Sequence, residues 1–133
     1  MSDRDQEIIS SLRSAYEAFN RADFDTAIEL AHPEIEFAPP GGQSPLRGAD
    51  ALRAWMEPDA FEDQQIEPIE FRMQGDKVLV HQLATARGMG SGIELNLDAW
   101  AVWTFGDDGR ATRVESFLPH QEVEALEAAG LND

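Results

Sequence analysis

Three side chains in this sequence have the chemistry for proton transfer, namely Glu36, His81 and Asp98. Glu36 falls on a short predicted strand over residues 35–38, where strand alternation allows its carboxylate to face an interior cavity as a general base. The alternative is an exposed or ion-paired glutamate. His81 and Asp98 fall on neighbouring predicted strands, where they would form a base and its orienting carboxylate. Both belong to the convex face of the predicted sheet, so a polar contact at the surface or in a dimer interface is the alternative.

A second group of side chains has the size and polarity to line a ligand pocket. Tyr16 lies on the apolar stripe of the first predicted helix, either as a core residue with a satisfied hydroxyl or as a donor to a ligand. Gln82 is the one polar residue in the inner row of its predicted strand, so its amide bonds to backbone or water, or contacts a ligand. We predict that these two residues line one pocket with Phe37, Trp55 and Trp103.

The sequence lacks the motifs typical of metal, nucleophile and phosphate sites. His32, His81 and His120 are far apart, without the spacing of metal ligands on a common element. There is no cysteine and no Gly-x-Ser-x-Gly motif. The glycine-rich segment 88–92 joins two predicted strands and is followed by neither a helix nor a lysine, unlike a phosphate-binding loop. We therefore expect neither a metal nor a cofactor.

The charge balance restricts the partners. The chain of 133 residues, which we predict to be one domain over 1–133, has 26 acidic and 10 basic side chains and a net charge of −16. Such a surface repels phosphate backbones and anionic lipids, so we expect no nucleic-acid partner and no membrane partner. The acidic N-terminus lacks the features of a secretory signal, and the absence of cysteine agrees with a cytoplasmic location.

Apolar spacing predicts helices followed by strands and a closing helix. Residues 5–20 show the three- and four-residue spacing of an amphipathic helix. The other predicted helices are a short one capped by Asp23, one that begins near Gly48 and stops at Pro58, and one over 122–129 with Gly130 as C-cap; the predicted strands are 35–38, 66–73, 77–87, 93–105 and 111–117, with a loop from Pro39 to Pro45. This order predicts an α+β fold in which helices pack against a curved, mostly antiparallel sheet and leave a pocket between the layers.

The pairing of the two longest strands depends on the glycine-rich loop between them. A four-residue loop at 88–91 places Val80 opposite Ala99 and His81 opposite Asp98. A shift of one residue would exchange the two faces of a strand and remove the second pair.

Several segments, in this order and at this spacing, carry a family resemblance: 18–25 (AFNRADFD), 32–37 (HPEIEF), 48–55, 87–94 (RGMGSGIE), 102–105 (VWTF) and 124–131 (EALEAAGL). Over nearly its whole length the chain resembles the SnoaL-like branch of the nuclear-transport-factor-two-like (cystatin-like cone) superfamily. The resemblance implies a cone-shaped α+β fold and a homodimer packed through the convex sheet face. Trp100 falls on that face, where a large exposed aromatic side chain suggests an interface.

The superfamily includes isomerases, cyclases, epoxide hydrolases, dehydratases and non-catalytic binders, so the resemblance does not select among them. Compared with its ketosteroid isomerases, the general-base position falls on Ala38, the tyrosine donor on Ala15 and the acidic donor near Ala101. A shift of one residue in this alignment would bring Tyr16 to the position of the tyrosine donor, but it would supply neither the general base nor the acidic donor. Enolate chemistry needs a base and two donors, so we do not expect steroid isomerisation.

The sequence therefore predicts a protein that binds a small apolar or aromatic molecule in the helix–sheet cavity. One alternative is an isomerase, cyclase or hydrolase that uses acid/base chemistry in the same pocket. The other is a non-catalytic, dimeric interaction domain. An apolar cavity with isolated polar groups favours binding, a carboxylate hydrogen-bonded to a second donor favours catalysis, and a filled interior favours the interaction domain.

Overall fold

Helices precede and follow a series of long strands, in the order that the apolar spacing predicted. The structure, a computed structural model, describes residues 3–39, 44–56, 61–88 and 92–131. Its elements are α1 (Asp3–Asn20), α2 (Phe24–Ala27), β1 (Ala31–Ala38), β2 (Leu46–Arg47), α3 (Ala49–Met56), β3 (Phe61–Gln74), β4 (Lys77–Gly88), β5 (Glu94–Phe105), β6 (Ala111–Phe117), a 3₁₀ turn (Pro119–Gln121) and α4 (Glu122–Ala129).

The described strands form one curved, unclosed sheet of six strands in the order β2-β1-β6-β5-β4-β3. The β1–β6 pair is parallel and all other neighbours are antiparallel. The inner face of the sheet and α1 share the main hydrophobic core, to which Leu12, Val80 and Phe105 belong. Helix α4 packs on the opposite face, where Ala125 and Ala129 bury Leu79 and Val102. The predicted α+β fold is confirmed.

Helix α1 is positioned over the sheet by its apolar stripe and by its last residue. Its buried side chains recur at three- and four-residue spacing, so one face is directed at the core. At its end, the Asn20 side chain accepts a hydrogen bond from the Ile66 backbone N–H at 2.6 Å and donates to the Ile66 carbonyl at 2.9 Å. This pair satisfies backbone groups of β3, the strand at the edge of the sheet. None of the described helices has the length and apolar character needed to cross a bilayer.

The predicted register between β4 and β5 is wrong by two residues. Val80 lies opposite Ala101 rather than Ala99, and His81 lies opposite Trp100 rather than Asp98. The cause is the position of the loop, because the Gly88 N–H donates to the Ile93 carbonyl at 2.8 Å and closes the hairpin one residue later than expected. Since side chains alternate with a period of two, a shift of two leaves every residue on its predicted face.

The ends of the elements show what local sequence signals can and cannot resolve. Gly130 takes a left-handed conformation with φ 74° and caps α4 as predicted. Strand β1 begins at Ala31, earlier than expected, and the short β2 was not predicted. Parts of the predicted loop from Pro39 to Pro45 and of the glycine-rich loop, together with the predicted stop at Pro58, lie outside the described residues.

Asp23 caps α2 and provides a pH-dependent contribution to stability. Its carboxylate accepts hydrogen bonds from the Thr26 hydroxyl at 2.7 Å and the Thr26 N–H at 3.3 Å. The hydrogen bond from the Thr26 side chain is the main reason that the pKa of Asp23 lies below its usual value. The carboxylate therefore stabilises the folded state fully above the usual aspartate pKa, and this contribution is lost as the pH falls through the lowered value.

We expect Asp23→Ala to lower Tm at neutral pH, because α2 loses its cap. The difference in Tm between wild type and variant should be constant near neutral pH and narrow below the usual aspartate pKa. Thermal unfolding followed by circular dichroism from pH 7 downward measures this difference. A difference that widens in acid would contradict the assignment.

Candidate functional site

A cavity of about 110 Å³ lies between the helices and the inner face of the sheet. It contains all five predicted pocket residues. Its described lining is Ala15, Tyr16, Phe19, Ala27, Phe37, Leu52, Trp55, Met56, Ile66, Gln82, Ala101, Trp103, Val114 and Ser116. Their binding of a ligand stays a prediction, but the sheet and helices bring these side chains together as the alternation of inner and outer residues indicated.

The lining is apolar and carries no formal charge among the described residues. Trp55 is 48% exposed although it lines the cavity, so it stands at the rim. Its ring lies 4.6 Å from that of Phe37 in an edge-on arrangement. The cavity is comparable in volume with the apolar cavity of about 150 Å³ that is known to hold benzene. A single aromatic ring therefore matches the space.

Three buried side chains form a hydrogen-bonded chain in the cavity wall. The Trp103 indole Nε1–H donates to the Tyr16 hydroxyl oxygen at 3.2 Å, and the Tyr16 O–H donates to Gln82 Oε1 at 2.7 Å. Burial raises the pKa of Tyr16 well above its usual value, so the hydroxyl remains protonated at neutral pH. Tyr16 is thus both a core residue with a satisfied hydroxyl and part of the cavity wall. The described partner of Gln82 is the Tyr16 hydroxyl, which was not among the partners considered for it.

Glu36 does not line the cavity. Along β1 the buried residues Ile35 and Phe37 flank it, so its side chain is directed to the opposite face of the sheet. There its Oε1 lies 2.8 Å from Arg113 Nη1, and Arg113 also pairs with Glu115. Glu36 therefore does not face the cavity and has the ion-paired position that was the alternative; Ala38, two residues further along β1, is not part of the described lining either. Its role as a base stays an untested prediction.

His81 and Asp98 come together, but away from the cavity. His81 Nε2 lies 3.3 Å from Asp98 Oδ1, a diagonal contact between β4 and β5 rather than the predicted opposite pair. The His81 ring stacks on Trp100 at 4.3 Å. Trp100 also packs beside the cluster under α4 and is half-buried rather than exposed as expected. The two predicted proton-transfer residues thus belong to the outer face of the sheet.

Some residues that line the cavity were not predicted, although the alternation of inward and outward side chains along the strands would have indicated them. Ser116 follows Val114 by two positions on β6, and both face the cavity. Ala15 and Ala101 also line it. Within the described part of the chain, no group of three or more histidine, aspartate or glutamate side chains is placed to hold a metal ion.

Comparisons with known proteins agree with this fold. The sequence profile of the SnoaL-like domain matches residues 12–114. No curated protein matches in sequence. Among solved structures, TerC co-crystallised with polyporic acid is similar with a TM-score of 0.74 and 24% identity, over 92% of this chain and 96% of TerC.

Two further structures have the same fold. A putative polyketide cyclase from Xanthomonas campestris pv. campestris has a TM-score of 0.79 and 20% identity, over 91% of this chain and 96% of its own. An NTF2-like protein of unknown function from Burkholderia pseudomallei has a TM-score of 0.76 and 23% identity, over 97% of this chain and 98% of its own. At these identities the similarity establishes the fold alone.

Proposed function

Because this chain belongs to the SnoaL-like domain family, we propose that it binds a small apolar or aromatic molecule in the cavity between its helices and its sheet. One scaffold serves many functions, so the argument depends on the cavity rather than on the fold. The observation that carries the proposal is an open and mainly apolar cavity whose described wall contains a few polar groups and no charged side chain. Ligand sites typically combine such apolar walls with a small number of orienting polar atoms.

The energetics of this cavity favour an apolar ligand. Its aromatic rim and floor, including Trp55, Phe37 and Trp103, offer ring faces and edges to a planar molecule. An empty apolar cavity forfeits van der Waals contacts that a ring-sized ligand would restore. The structure of TerC supports the proposal by analogy, since a protein of this fold has been co-crystallised with polyporic acid.

The enzymatic alternative has less support from the site. General acid/base chemistry needs a titratable group within hydrogen-bonding reach of the substrate. The described lining contains no carboxylate and no imidazole, and the Tyr16 hydroxyl stays protonated. Glu36, the predicted base, is ion-paired with Arg113 on the other side of β1.

The homodimer through the convex sheet face stays a prediction. Helix α4 covers part of that face by packing on Leu79 and Val102. A dimer would therefore use the remaining surface around His81 and Trp100, and light scattering would measure its mass.

Titration of ¹⁵N-labelled protein with ethylbenzene tests the proposed function. A ligand of this size that fills the cavity should bind with a Kd of about 0.1 to 1 mM. The indole N–H signals of Trp55 and Trp103 should shift in NMR spectra, whereas the signal of Trp100 on the outer face should not. A Trp103 signal that does not move up to the solubility limit of the probe would contradict the proposal.

Glu36→Gln is the matched control. We expect it to bind ethylbenzene within about twofold of wild type, because a partly exposed ion pair outside the cavity contributes little. A conversion of substrate that Glu36→Gln abolishes would instead favour the enzymatic alternative.

A further inference from the structure

We propose that the cavity selects neutral aromatic ligands that carry a carbonyl-type oxygen, which accepts a hydrogen bond from Gln82 Nε2. This inference rests on the proposed function and adds the chemical class of the ligand. It follows from the direction of the hydrogen bonds between Trp103, Tyr16 and Gln82.

The direction of these two hydrogen bonds is determined by which groups can donate and which can accept. An indole N–H is a donor only, so Trp103 must donate to the Tyr16 oxygen. The Tyr16 O–H then needs an acceptor, and in the described structure Gln82 Oε1 at 2.7 Å provides it. If the amide were turned round, the tyrosine proton would lose this acceptor, which is costly for a buried hydroxyl. The series of hydrogen bonds therefore ends at the amide oxygen of Gln82, which accepts from the Tyr16 hydroxyl.

The amide nitrogen of Gln82 is the group left for a ligand. Gln82 is only 8% exposed and lines the cavity. Its Nε2 donates to none of the described residues, whereas no fully buried side-chain nitrogen or oxygen in the described structure lacks a partner. Nε2 therefore keeps some accessible surface, and because Gln82 lines the cavity we infer that this surface faces the cavity. Its two N–H bonds can only donate, so the ligand atom that meets them must be an acceptor.

The surroundings of Gln82 restrict the acceptor to a neutral one. The described cavity wall offers no cation to balance a bound carboxylate or phenolate. The cost of burying an unpaired anion is large, and the net charge of −16 adds long-range repulsion. A carbonyl oxygen on an aromatic ring fulfils both conditions, because it accepts a hydrogen bond and remains uncharged.

Acetophenone and α-methylstyrene provide a matched pair of probes, since they have the same shape and differ in a carbonyl oxygen against a methylene group. NMR titration of wild type and Gln82→Met gives an affinity ratio of the two probes for each protein. We expect the ratio of acetophenone to α-methylstyrene affinity to fall roughly three- to tenfold in Gln82→Met. The different hydration of the probes cancels in this comparison. In wild type, the Gln82 side-chain amide protons should shift downfield with acetophenone alone.

The controls separate the possible failures. Gln74→Met makes the same change at an exposed position of β3 and should keep the wild-type ratio. If Gln82→Met does not fold, Gln82→Leu replaces it, because it also removes the amide donor and should also lower the ratio. An unchanged ratio, with both probes bound in the cavity, would overturn the carbonyl inference while the proposed function survives. If neither probe binds, both the carbonyl inference and the proposed function are overturned.

Discussion

Replacing Ala15 by leucine is expected to weaken ligand binding by at least about 30-fold, or about 2 kcal/mol, while the protein stays folded. Ala15 lies on α1 beside Tyr16, and its methyl group forms part of the cavity lining. Leucine adds an isopropyl group at this point and occupies the volume that an aromatic ring would need. Ethylbenzene titrations of wild type and variant measure the effect.

The stability of Ala15→Leu distinguishes a filled cavity from a disrupted core. Extra carbon atoms in a well-packed core commonly cost about 1–3 kcal/mol, but here they enter open space and replace missing van der Waals contacts. Tm should therefore be unchanged or raised. Ala54→Leu, the same change on the exposed side of α3, should leave both binding and Tm unchanged. Wild-type affinity in Ala15→Leu would show that the ligand binds elsewhere.

Leu12→Ala is expected to lower the free energy of unfolding by about 3 kcal/mol. The Leu12 side chain is 0% exposed and packs in the core shared by α1 and the inner face of the sheet. Truncation removes buried apolar surface and leaves a void that the close-packed neighbours fill only in part. Equilibrium unfolding in urea gives the value, with the slope m as a check that the unfolded state is unchanged.

Leu97→Ala is the matched control on the sheet. Leu97 lies on β5 with 42% of its surface exposed, so the same truncation should cost less than about 1 kcal/mol. Similar losses for Leu12→Ala and Leu97→Ala would contradict the position of the core. A loss confined to Leu12→Ala would support α1 as the element that holds one wall of the cavity in place.

The site was partly predictable because the apolar periodicity of helices and strands is a local property. Tyr16, Phe37, Trp55, Gln82 and Trp103 all line the cavity, as their positions on apolar faces indicated. Glu36 was also considered for the cavity side, but it is ion-paired on the other face of β1. Adjacent residues of a strand face opposite sides, and β1 buries Ile35 and Phe37, so Glu36 faces outward. On so short a predicted strand, which of the two alternating faces is buried depends on the neighbouring strand.

By itself, the sequence determined the order of the main elements, the inner and outer faces of the long strands and the helix cap at Gly130. These features depend on residues close together in the chain, through periodicity and backbone preferences. Only the tertiary structure decided the pairing of Val80 with Ala101 and the packing of α4 on the outer face. It also decided the contact of Trp103 with Tyr16 and Gln82. These contacts join residues far apart in the chain, so they arise only when α1 and the sheet close around a common space, and no local pattern encodes their distances.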